Sequence, residues 1–527
     1  MRLLSRFLII LAVCLVAVAL PAAPAQATGG VPYITLSPSS GVPGTNVTVR
    51  GYNFTDDESV DICYCLTTAC PTTARIWVAE EVETDDDGYF KVTFEVPESY
   101  TGAHEVRVLI DTIQATGNFT VEPGLTVSPK KGPVGTNVTV EGHGFAKDEE
   151  DIELRYYLDS KDYETITENI DANEHGWWKK SFVIPPSSKG NHYIKATGEE
   201  GTLSATFEVT PGISINKSSG SVGENITITG SGFYANDRYI TILFAGEEVE
   251  TETRVDADDT GYWEKKFEVP EMPKGTYSVT AYGETTPKES ISARSFAIKP
   301  DIVLSPIEGY VGMNLTITGR GFAANKDVDI MYDGNQKATA RTNVKGSFDN
   351  VSLVVPESQH GGRQVTAEDA AGNNATAIFT MESDPPGTPT LTSPANGSWA
   401  GFIGKVRPTF EWSEVSDLSG VYYSLQIATS ANVTATGEFA DPKVSVEGLV
   451  ETSYTLNATD ALPYGTYYWI VQAVDRAENA GNWTTARSFR AGLLPMWGFI
   501  AAIVAIVVLI GALVYFLVIR RRRAHYF

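Results

Sequence analysis

A segment of about ninety residues recurs four times along this chain of 527 residues. The hexapeptide GTNVTV at Gly44–Val49 returns in related form from Gly135, Gly223 and Gly312, at spacings of 91, 88 and 89 residues. A glycine-containing segment that ends in phenylalanine keeps the same spacing and reads GYNF, GHGF, GSGF and GRGF. A unit of this length is a whole domain, too long to be one coil of a solenoid.

Each repeat alternates polar and apolar residues in the manner of half-buried strands. In Asn46–Val49 the two valines face one side and the polar residues the other. The second half of each repeat has a turn, a glycine, an aromatic residue and an alternating strand that proline ends, as in Gly88 to Pro97. About seven short strands in such a length favour an immunoglobulin-like sandwich. We therefore predict an all-β chain of tandem immunoglobulin-like β-sandwiches in series.

The pattern P-x-x-G-x-V-G-x-x-V-T-V-x-G-x-G-F resembles the start of IPT/TIG and related early-set immunoglobulin-like domains of cell-surface proteins. The resemblance covers residues 32–300 and extends to 383. In the first copy Asn53 stands where the others have glycine, and asparagine is the residue that best tolerates positive φ after glycine. The resemblance implies a fold and a surface setting, and it implies no single activity.

A different pattern begins at the proline-rich joint Asp384-Pro385-Pro386. Residues 384–491 resemble a fibronectin type III domain of the form common on microbial surfaces, with Trp412 as the core tryptophan of an early strand. The immunoglobulin-like repeats are then expected at 28–122, 123–211, 212–300 and 301–383.

The two ends of the chain predict export and anchoring. Residues 1–27 read as a signal peptide, with two arginines, the apolar run Phe7–Leu20 and a cleavage site after Ala27; a retained N-terminal anchor is the alternative. A transmembrane helix is predicted over 493–519. Arg520–Arg523 follow it, so the positive-inside rule places the basic tail 520–527 in the cytoplasm and the N-terminus outside. A sortase signal is the rival for this end, but Leu494–Gly498 lacks the required threonine.

The region between the two ends is strongly acidic. Six of the 40 lysines and arginines lie in the ends, so 34 basic residues face 65 acidic ones and the formal charge is −31. This balance argues against nucleic acid as a partner. We attribute the charge to solubility and mutual repulsion at a crowded surface rather than to cation storage.

Three cysteines lie within eight residues of the mature chain, at Cys63, Cys65 and Cys70. We expect one disulfide, from Cys70 to either Cys63 or Cys65, and one odd thiol. Free thiols and a metal site are the alternatives, but a metal would need a fourth ligand and no histidine lies nearby in sequence.

No catalytic motif is present. The five histidines of the exterior are scattered over different repeats and are interpreted as surface residues, so we expect neither enzymatic activity nor a cofactor. The acidic turns at Asp85–Gly88 and Asp256–Gly261 could supply calcium ligands. The fourth repeat has Lys345 in this place, so hairpin turns built on aspartate or asparagine are favoured over an ion site.

Two kinds of surface residue could meet a ligand or a modification. An aromatic residue beside the inward one is expected to face outward in three repeats, where it could stack on a sugar: Tyr89, Trp177 and Tyr262. N-glycosylation sequons are abundant, and strand parity turns four of them outward, at Asn46, Asn137, Asn225 and Asn314.

These features predict a non-enzymatic cell-surface stalk or adhesin-like protein. Short linkers with Pro123, Pro211 and Pro300 favour an extended, jointed array. Two alternatives stay open. One is a receptor that binds an extracellular protein or glycan through its N-terminal domains, and the other is an accessory subunit of a surface enzyme complex.

Overall fold

The computed structural model describes residues 30–199, 201–251 and 253–523. The signal peptide predicted for 1–27 and the last four residues of the tail lie outside these ranges. The chain divides into two compact units within the third repeat. The first unit is Met1–Ile215, Thr227–Lys266 and Val279–Arg294, and the second is Asn216–Ile226, Phe267–Ser278 and Ser295–Phe527.

Each of the four repeats forms eight strands. Repeat 1 has β1 Tyr33–Ser37, β2 Ser40–Gly41, β3 Asn46–Tyr52, β4 Ser59–Cys65, β5 Arg75–Glu83, β6 Phe90–Glu95, β7 Gly102–Ile110 and β8 Thr112–Val121. Repeat 2 has β9 Gly124–Ser128, β10 Lys131–Gly132, β11 Asn137–His143, β12 Ile152–Tyr157, β13 Tyr163–Ile170, β14 Trp178–Val183, β15 Gly190–Gly198 and β16 Gly201–Val209.

The next two repeats follow the same order. Repeat 3 has β17 Gly212–Ile215, β18 Ser219–Gly220, β19 Asn225–Ser231, β20 Thr241–Phe244, β21 Glu247–Glu248, β22 Trp263–Glu268, β23 Gly275–Tyr282 and β24 Arg294–Ile298. Repeat 4 has β25 Asp301–Ser305, β26 Glu308–Gly309, β27 Asn314–Arg320, β28 Asp327–Tyr332, β29 Asn335–Arg341, β30 Phe348–Val354, β31 Gly361–Asp369 and β32 Asn374–Met381.

The fifth sandwich and one long helix complete the chain. The sandwich has β33 Leu391–Ser393, β34 Ser398–Ala400, β35 Thr409–Trp412, β36 Val421–Ala428, β37 Pro442–Leu449, β38 Ser453–Thr455, β39 Gly465–Asp475 and β40 Arg487–Ala491, and the helix is α1 Met496–Arg523. Besides α1, the only helical segments among the described residues are the single 3₁₀ turns Thr72–Ala74 and Lys288–Ser290. The predicted all-β class is therefore confirmed.

Every sandwich pairs a three-stranded sheet with a five-stranded one. In repeat 1 the orders are β1-β3-β6 and β2-β8-β7-β4-β5, and the other four sandwiches repeat this arrangement. The count exceeds the expected seven strands because the first strand is divided. Its first part, β1, runs antiparallel to β3, and its second part, β2, joins the other sheet parallel to β8.

The glycines of the G-x-G-F segment are explained by close packing and by backbone conformation. A Cβ on Gly142 would lie 2.1 Å from the indole nitrogen of Trp178, which fills the core beneath it. The second glycine has positive φ, 67° at Gly144, and Asn53 adopts φ 63° at the same place in repeat 1. The expectation that asparagine preserves this turn is confirmed.

Helix α1 is long and apolar enough to cross a membrane, and the mean hydropathy of its most apolar 18 residues is 3.2. It begins three residues later than expected, because Leu493 and Leu494 extend the fifth sandwich. The amide of Leu493 donates to the carbonyl of Phe402 at 2.8 Å, and Leu494 bridges to Ile403. The helix also continues through Arg520–Arg523, which the sequence had placed in the tail.

Candidate functional site

The turn before the sixth strand is built in the same way in all four repeats. In repeat 1, Oδ1 of Asp85 accepts hydrogen bonds from the amides of Asp87 and Tyr89, at 3.1 and 2.8 Å. Asn173, Asp258 and Asn343 make the same pair of bonds to residues two and four positions ahead. These are Asx turns, which supports the hairpin interpretation of the acidic segments.

Consecutive sandwiches meet through one recurring backbone hydrogen bond. We call the five residues that start at the proline after the sixth strand the joint loop: 97–101, 185–189, 270–274 and 356–360. Its last residue donates to a carbonyl of the next sandwich. Within the first unit Thr101 donates to Phe145 at 3.0 Å and Lys189 to Phe233 at 2.8 Å.

Within the second unit the bond recurs, from Lys274 to Phe322 at 2.9 Å and from His360 to Ala477 at 2.7 Å. We call the G-x-G-F segment and the Asx turn of a repeat its docking face. Repeats 2, 3 and 4 each receive the preceding joint loop on this face. The fifth sandwich receives its loop on a different turn, where Ala477 is buried in the core cluster of repeat 4.

A buried tyrosine holds the joint loop on its own sandwich. The hydroxyls of Tyr64, Tyr156 and Tyr332 bond to the serine hydroxyls of the loops, at 2.8, 2.9 and 3.1 Å. Repeat 3 has Met272 in place of the serine, and there the tyrosine is replaced by Phe244. Burial raises the pKa of Tyr156 to about 12, so it stays a neutral donor.

Two histidines also hold joint loops, which corrects their interpretation as surface residues. His104 and His192 are 2% and 5% exposed. The ring nitrogens of His104 lie 3.0 Å from the carbonyl of Cys65 and 2.8 Å from that of Tyr100. His192 makes equivalent contacts to Tyr157 and Ser188. Their shared position, two residues after the glycine that opens the seventh strand, is the sequence signal that could have found them.

Oppositely charged side chains meet across three of the four joints. In the first unit, Oε1 of Glu98 lies 2.7 Å from Nδ1 of His143. In the second unit, Glu271 lies 3.3 Å from Lys345 and 3.8 Å from Arg320. The glutamate is in each case the residue after the joint-loop proline. Glu357 completes the series, 2.8 Å from Arg476.

In the joint between repeats 2 and 3, both the glutamate and its basic partner are replaced. Pro186 stands where the others have glutamate, and Ser231 stands where repeats 2 and 4 have His143 and Arg320. A cation–π contact is present instead, with the ammonium of Lys189 at 4.8 Å from the ring centre of Tyr234. The joints therefore use matched side chains on both sides.

The charges at two joints shift pKa values in opposite directions. Hydrogen bonding to Glu98 raises the pKa of His143, against the opposing effect of burial. Ser347, Lys345 and Arg320 together hold the pKa of Glu271 below its ordinary value. Both shifts favour the charged form that the joint uses.

The three predicted contact aromatics lie on three different sandwiches and form no common site. Tyr262 is 42% exposed, whereas Tyr89 and Trp177 are half-buried. Tyr89 belongs to a row of rings that the sequence did not predict. Tyr33 and Tyr52 stack at 5.0 Å between ring centres, and Tyr52 lies 5.4 Å from Tyr89.

The four outward sequons start the third strand of each repeat, and all four asparagines are exposed: Asn46, Asn137, Asn225 and Asn314. Exposure permits glycosylation and does not require it, so their modification remains a prediction.

The cysteines form a compact cluster. Cys65 is bonded to Cys70, and Cys63 is a buried free thiol. All three sulfur atoms lie within 4.8 Å of one another. Burial raises the pKa of Cys63, although Arg75 and Arg107 oppose the shift. A raised pKa keeps this thiol protonated and unreactive while the repeat is folded.

A second cluster of acids lies in the fifth sandwich and the segment before it. One oxygen each of Glu382, Asp417 and Asp475 lies within 4.8 Å of the others. Asp475 is already engaged, since Oδ1 accepts from the amides of Ala477 and Asn479. A cavity of about 480 Å³ opens beside it, and its lining includes Tyr422, Arg476 and four acidic residues: Glu357, Glu447, Asp475 and Glu478.

A comparison with protein families identifies part of the array. The family model of the IPT/TIG domain matches residues 33–122 and 211–293. Repeats 1 and 3 are therefore similar to the IPT/TIG domain. The matched IPT/TIG segments show the same strand order as repeats 2 and 4, so the predicted tandem immunoglobulin-like repeats are confirmed. No curated protein matches the chain in sequence.

Three solved structures illustrate what the chain is similar to. A tetra-tandem repeat from the extending region of a large adhesion protein is 14% identical with a TM-score of 0.18, over 67% of this chain and 99% of that one. The eight N-terminal Ig domains of Down Syndrome Cell Adhesion Molecule are 13% identical with a TM-score of 0.18, over 88% and 60%. SGBP-B of the Bacteroides ovatus mixed-linkage glucan utilization locus, in complex with a heptasaccharide, is 14% identical with a TM-score of 0.20, over 70% and 98%.

Proposed function

We propose that this protein is a non-enzymatic surface stalk of the adhesin-like kind, which holds its immunoglobulin-like sandwiches outside the cell on a single C-terminal membrane helix. The observation that carries the proposal is the direct connection of array and helix. The last strand ends at Ala491 and α1 begins at Met496, with Leu493 and Leu494 attached to the sandwich between them.

The joints support a structural role. Each joint loop is fixed on its own sandwich and bonded to the next one, so consecutive domains are linked by more than the covalent chain. Among the described residues, the charged side chains of the joints and turns are engaged with neighbouring groups, and Cys65 is bonded to Cys70. Polar groups used in this way favour a structural role over a catalytic one.

The orientation is proposed from charge. Arg520–Arg523 would remain in the cytoplasm, and the acidic sandwiches would lie outside, where the disulfide of Cys65 and Cys70 is stable. We also retain the proposals that residues 1–27 direct export and that residues 384–491 are a fibronectin type III-like domain.

Small-angle scattering on residues 28–492 tests the stalk. Prolines in the short linkers favour extension, and at roughly 35 Å per sandwich the array would reach on the order of 170 Å. A maximum dimension below about 90 Å, little more than two sandwich lengths, would contradict a stalk.

A receptor is the second candidate, favoured by the row of Tyr33, Tyr52 and Tyr89 on repeat 1. Aromatic rows are common in sites that bind glycans or proteins. A purified ectodomain that retains no ligand on arrays of glycans and surface proteins would favour the stalk alone.

A further inference from the structure

Repeat 1 has the same docking face as the repeats that follow it. The amide of Phe54 bonds to the carbonyl of Gly88 at 3.1 Å, as Phe145 bonds to Gly176 at 3.0 Å in repeat 2. In repeats 2, 3 and 4 the phenylalanine carbonyl of this face accepts the joint-loop amide. The carbonyl of Phe54 accepts no hydrogen bond from residues 30–199, 201–251 or 253–523. The face is built for a loop that this part of the chain does not supply.

The charge of this face is reversed relative to the docking faces of repeats 2 and 4. His143 and Arg320, which meet a joint-loop glutamate in repeats 2 and 4, correspond to Tyr52 in repeat 1. Lys345, which also meets that glutamate in repeat 4, corresponds to Asp87. A glutamate loop would be repelled by the exposed acids of repeat 1, which are Asp56, Asp57, Asp85, Asp86 and Asp87.

The chain itself shows which side chain fits a tyrosine at a joint. Within the first unit, the joint-loop residue Lys189 places its ammonium over the ring of Tyr234 at 4.8 Å. The joint between repeats 2 and 3 thus already places a loop cation over a tyrosine ring.

We propose that the docking face of repeat 1 binds a basic loop of a partner protein, which places a lysine or arginine against Tyr52 with the carboxylates of Asp85–Asp87 as counter-charges. Tyr33, 49% exposed and stacked on Tyr52, extends the apolar part of the face. The loop amide would bond to the carbonyl of Phe54. This inference names a partner for repeat 1 and rests on the proposed surface display only for its setting.

The test uses the full-length protein in detergent. It is made in a host that adds no N-glycans, because Asn53-Phe54-Thr55 within the face is a glycosylation sequon. The probe is a fluorescent cyclic peptide with the sequence IPPSSKG of the repeat 2 joint loop, and its counterpart has glutamate in place of lysine. Fluorescence anisotropy at physiological salt should show binding of the lysine peptide and none of the glutamate peptide.

Variants distinguish binding at this face from non-specific attraction of the peptide to an acidic protein. Asp86→Lys should weaken binding of the lysine peptide by about tenfold. The matched control is Asp259→Lys, an exposed acid at the same position of the Asx turn in repeat 3. It should leave the affinity within about twofold, because the docking face of repeat 3 already holds Lys189. Tyr52→Ala should also weaken binding, whereas Tyr193→Ala, a 52% exposed tyrosine elsewhere, should not.

Equal losses in Asp86→Lys and Asp259→Lys, equal binding of both peptides, or no binding of the lysine peptide would each overturn the proposal. Unchanged circular dichroism of every variant shows that the fold is intact. None of these outcomes bears on surface display, which is tested separately on cells.

Discussion

At the scale of single residues, paired substitutions between repeats show which contacts support a joint. The tyrosine hydroxyl that anchors a joint loop occurs with a serine in repeats 1, 2 and 4, and both are absent from repeat 3. A buried hydroxyl without a partner is costly, so the two positions are expected to change together.

Tyr156→Phe tests this coupling. The change removes the donor to Ser187, which is 2% exposed, and should destabilise repeat 2 by about 1–2 kcal/mol. Adding Ser187→Met, which copies Met272 and Phe244 of repeat 3, should recover part of that loss. Hydrogen exchange of repeat 2 peptides in urea measures both effects. A double variant as unstable as the sum of its single changes would show that the two positions are independent.

The cysteine cluster gives a second prediction at this scale. Peptide mapping should find the disulfide between Cys65 and Cys70 and one thiol that alkylates only after unfolding, because Cys63 is buried. Closing this short loop stabilises repeat 1 by about 2 kcal/mol. In Cys65→Ser, Cys63 should pair with Cys70, since all three sulfurs lie within 4.8 Å. Three thiols open to alkylation in the native wild type would refute this arrangement.

At the scale of elements, the joint between repeats 1 and 2 should depend on pH. The pKa of His143 is raised in the folded joint. Its contribution to the stability of the joint is therefore fully present below the ordinary histidine pKa and is lost as pH rises through the raised value. The pKa of Glu271 is lowered, so its joint is stable above the ordinary glutamate pKa and weakens as pH falls through the lowered one. As pH rises, the joint between repeats 1 and 2 should therefore lose stability at a pH where the joint between repeats 3 and 4 is unaffected.

An NMR titration of His143 measures the first shift. Glu98→Gln should return its pKa toward the ordinary value, because the charged acceptor is lost. Glu95→Gln is the control, since Glu95 is an exposed acid of the same repeat outside every ion pair of the described residues. Equal titration curves for the wild type and Glu98→Gln would mean that the contact is absent in solution.

The secondary-structure elements could be predicted from the sequence, whereas the contacts at the joints could not. Alternation and the Asn53 turn are local signals and were found where they were expected, and the apolar run of α1 was found with its bounds shifted by three to four residues. The joints depend on partners distant in sequence, such as Glu98 with His143 and Glu357 with Arg476, which no local period reveals. The roles of His104 and His192 were missed for the same reason, because their acceptors are backbone carbonyls that only the fold brings close.

In the molecule as a whole, an acidic array of sandwiches precedes one apolar helix. Leu493 and Leu494, which precede the helix, pair with residues of the fifth sandwich. The arginines that close the helix oppose its passage outward, so the sandwiches and the C-terminus are expected on opposite sides of the membrane.

Epitope accessibility on intact cells tests this claim most directly. One epitope is inserted between Ser160 and Lys161, in an exposed turn of repeat 2, and another follows Phe527. We predict that antibody binds the first epitope on intact cells and the second only after permeabilisation. Exposure of the C-terminal epitope on intact cells, or a repeat 2 epitope that stays hidden until the membrane is opened, would contradict the account.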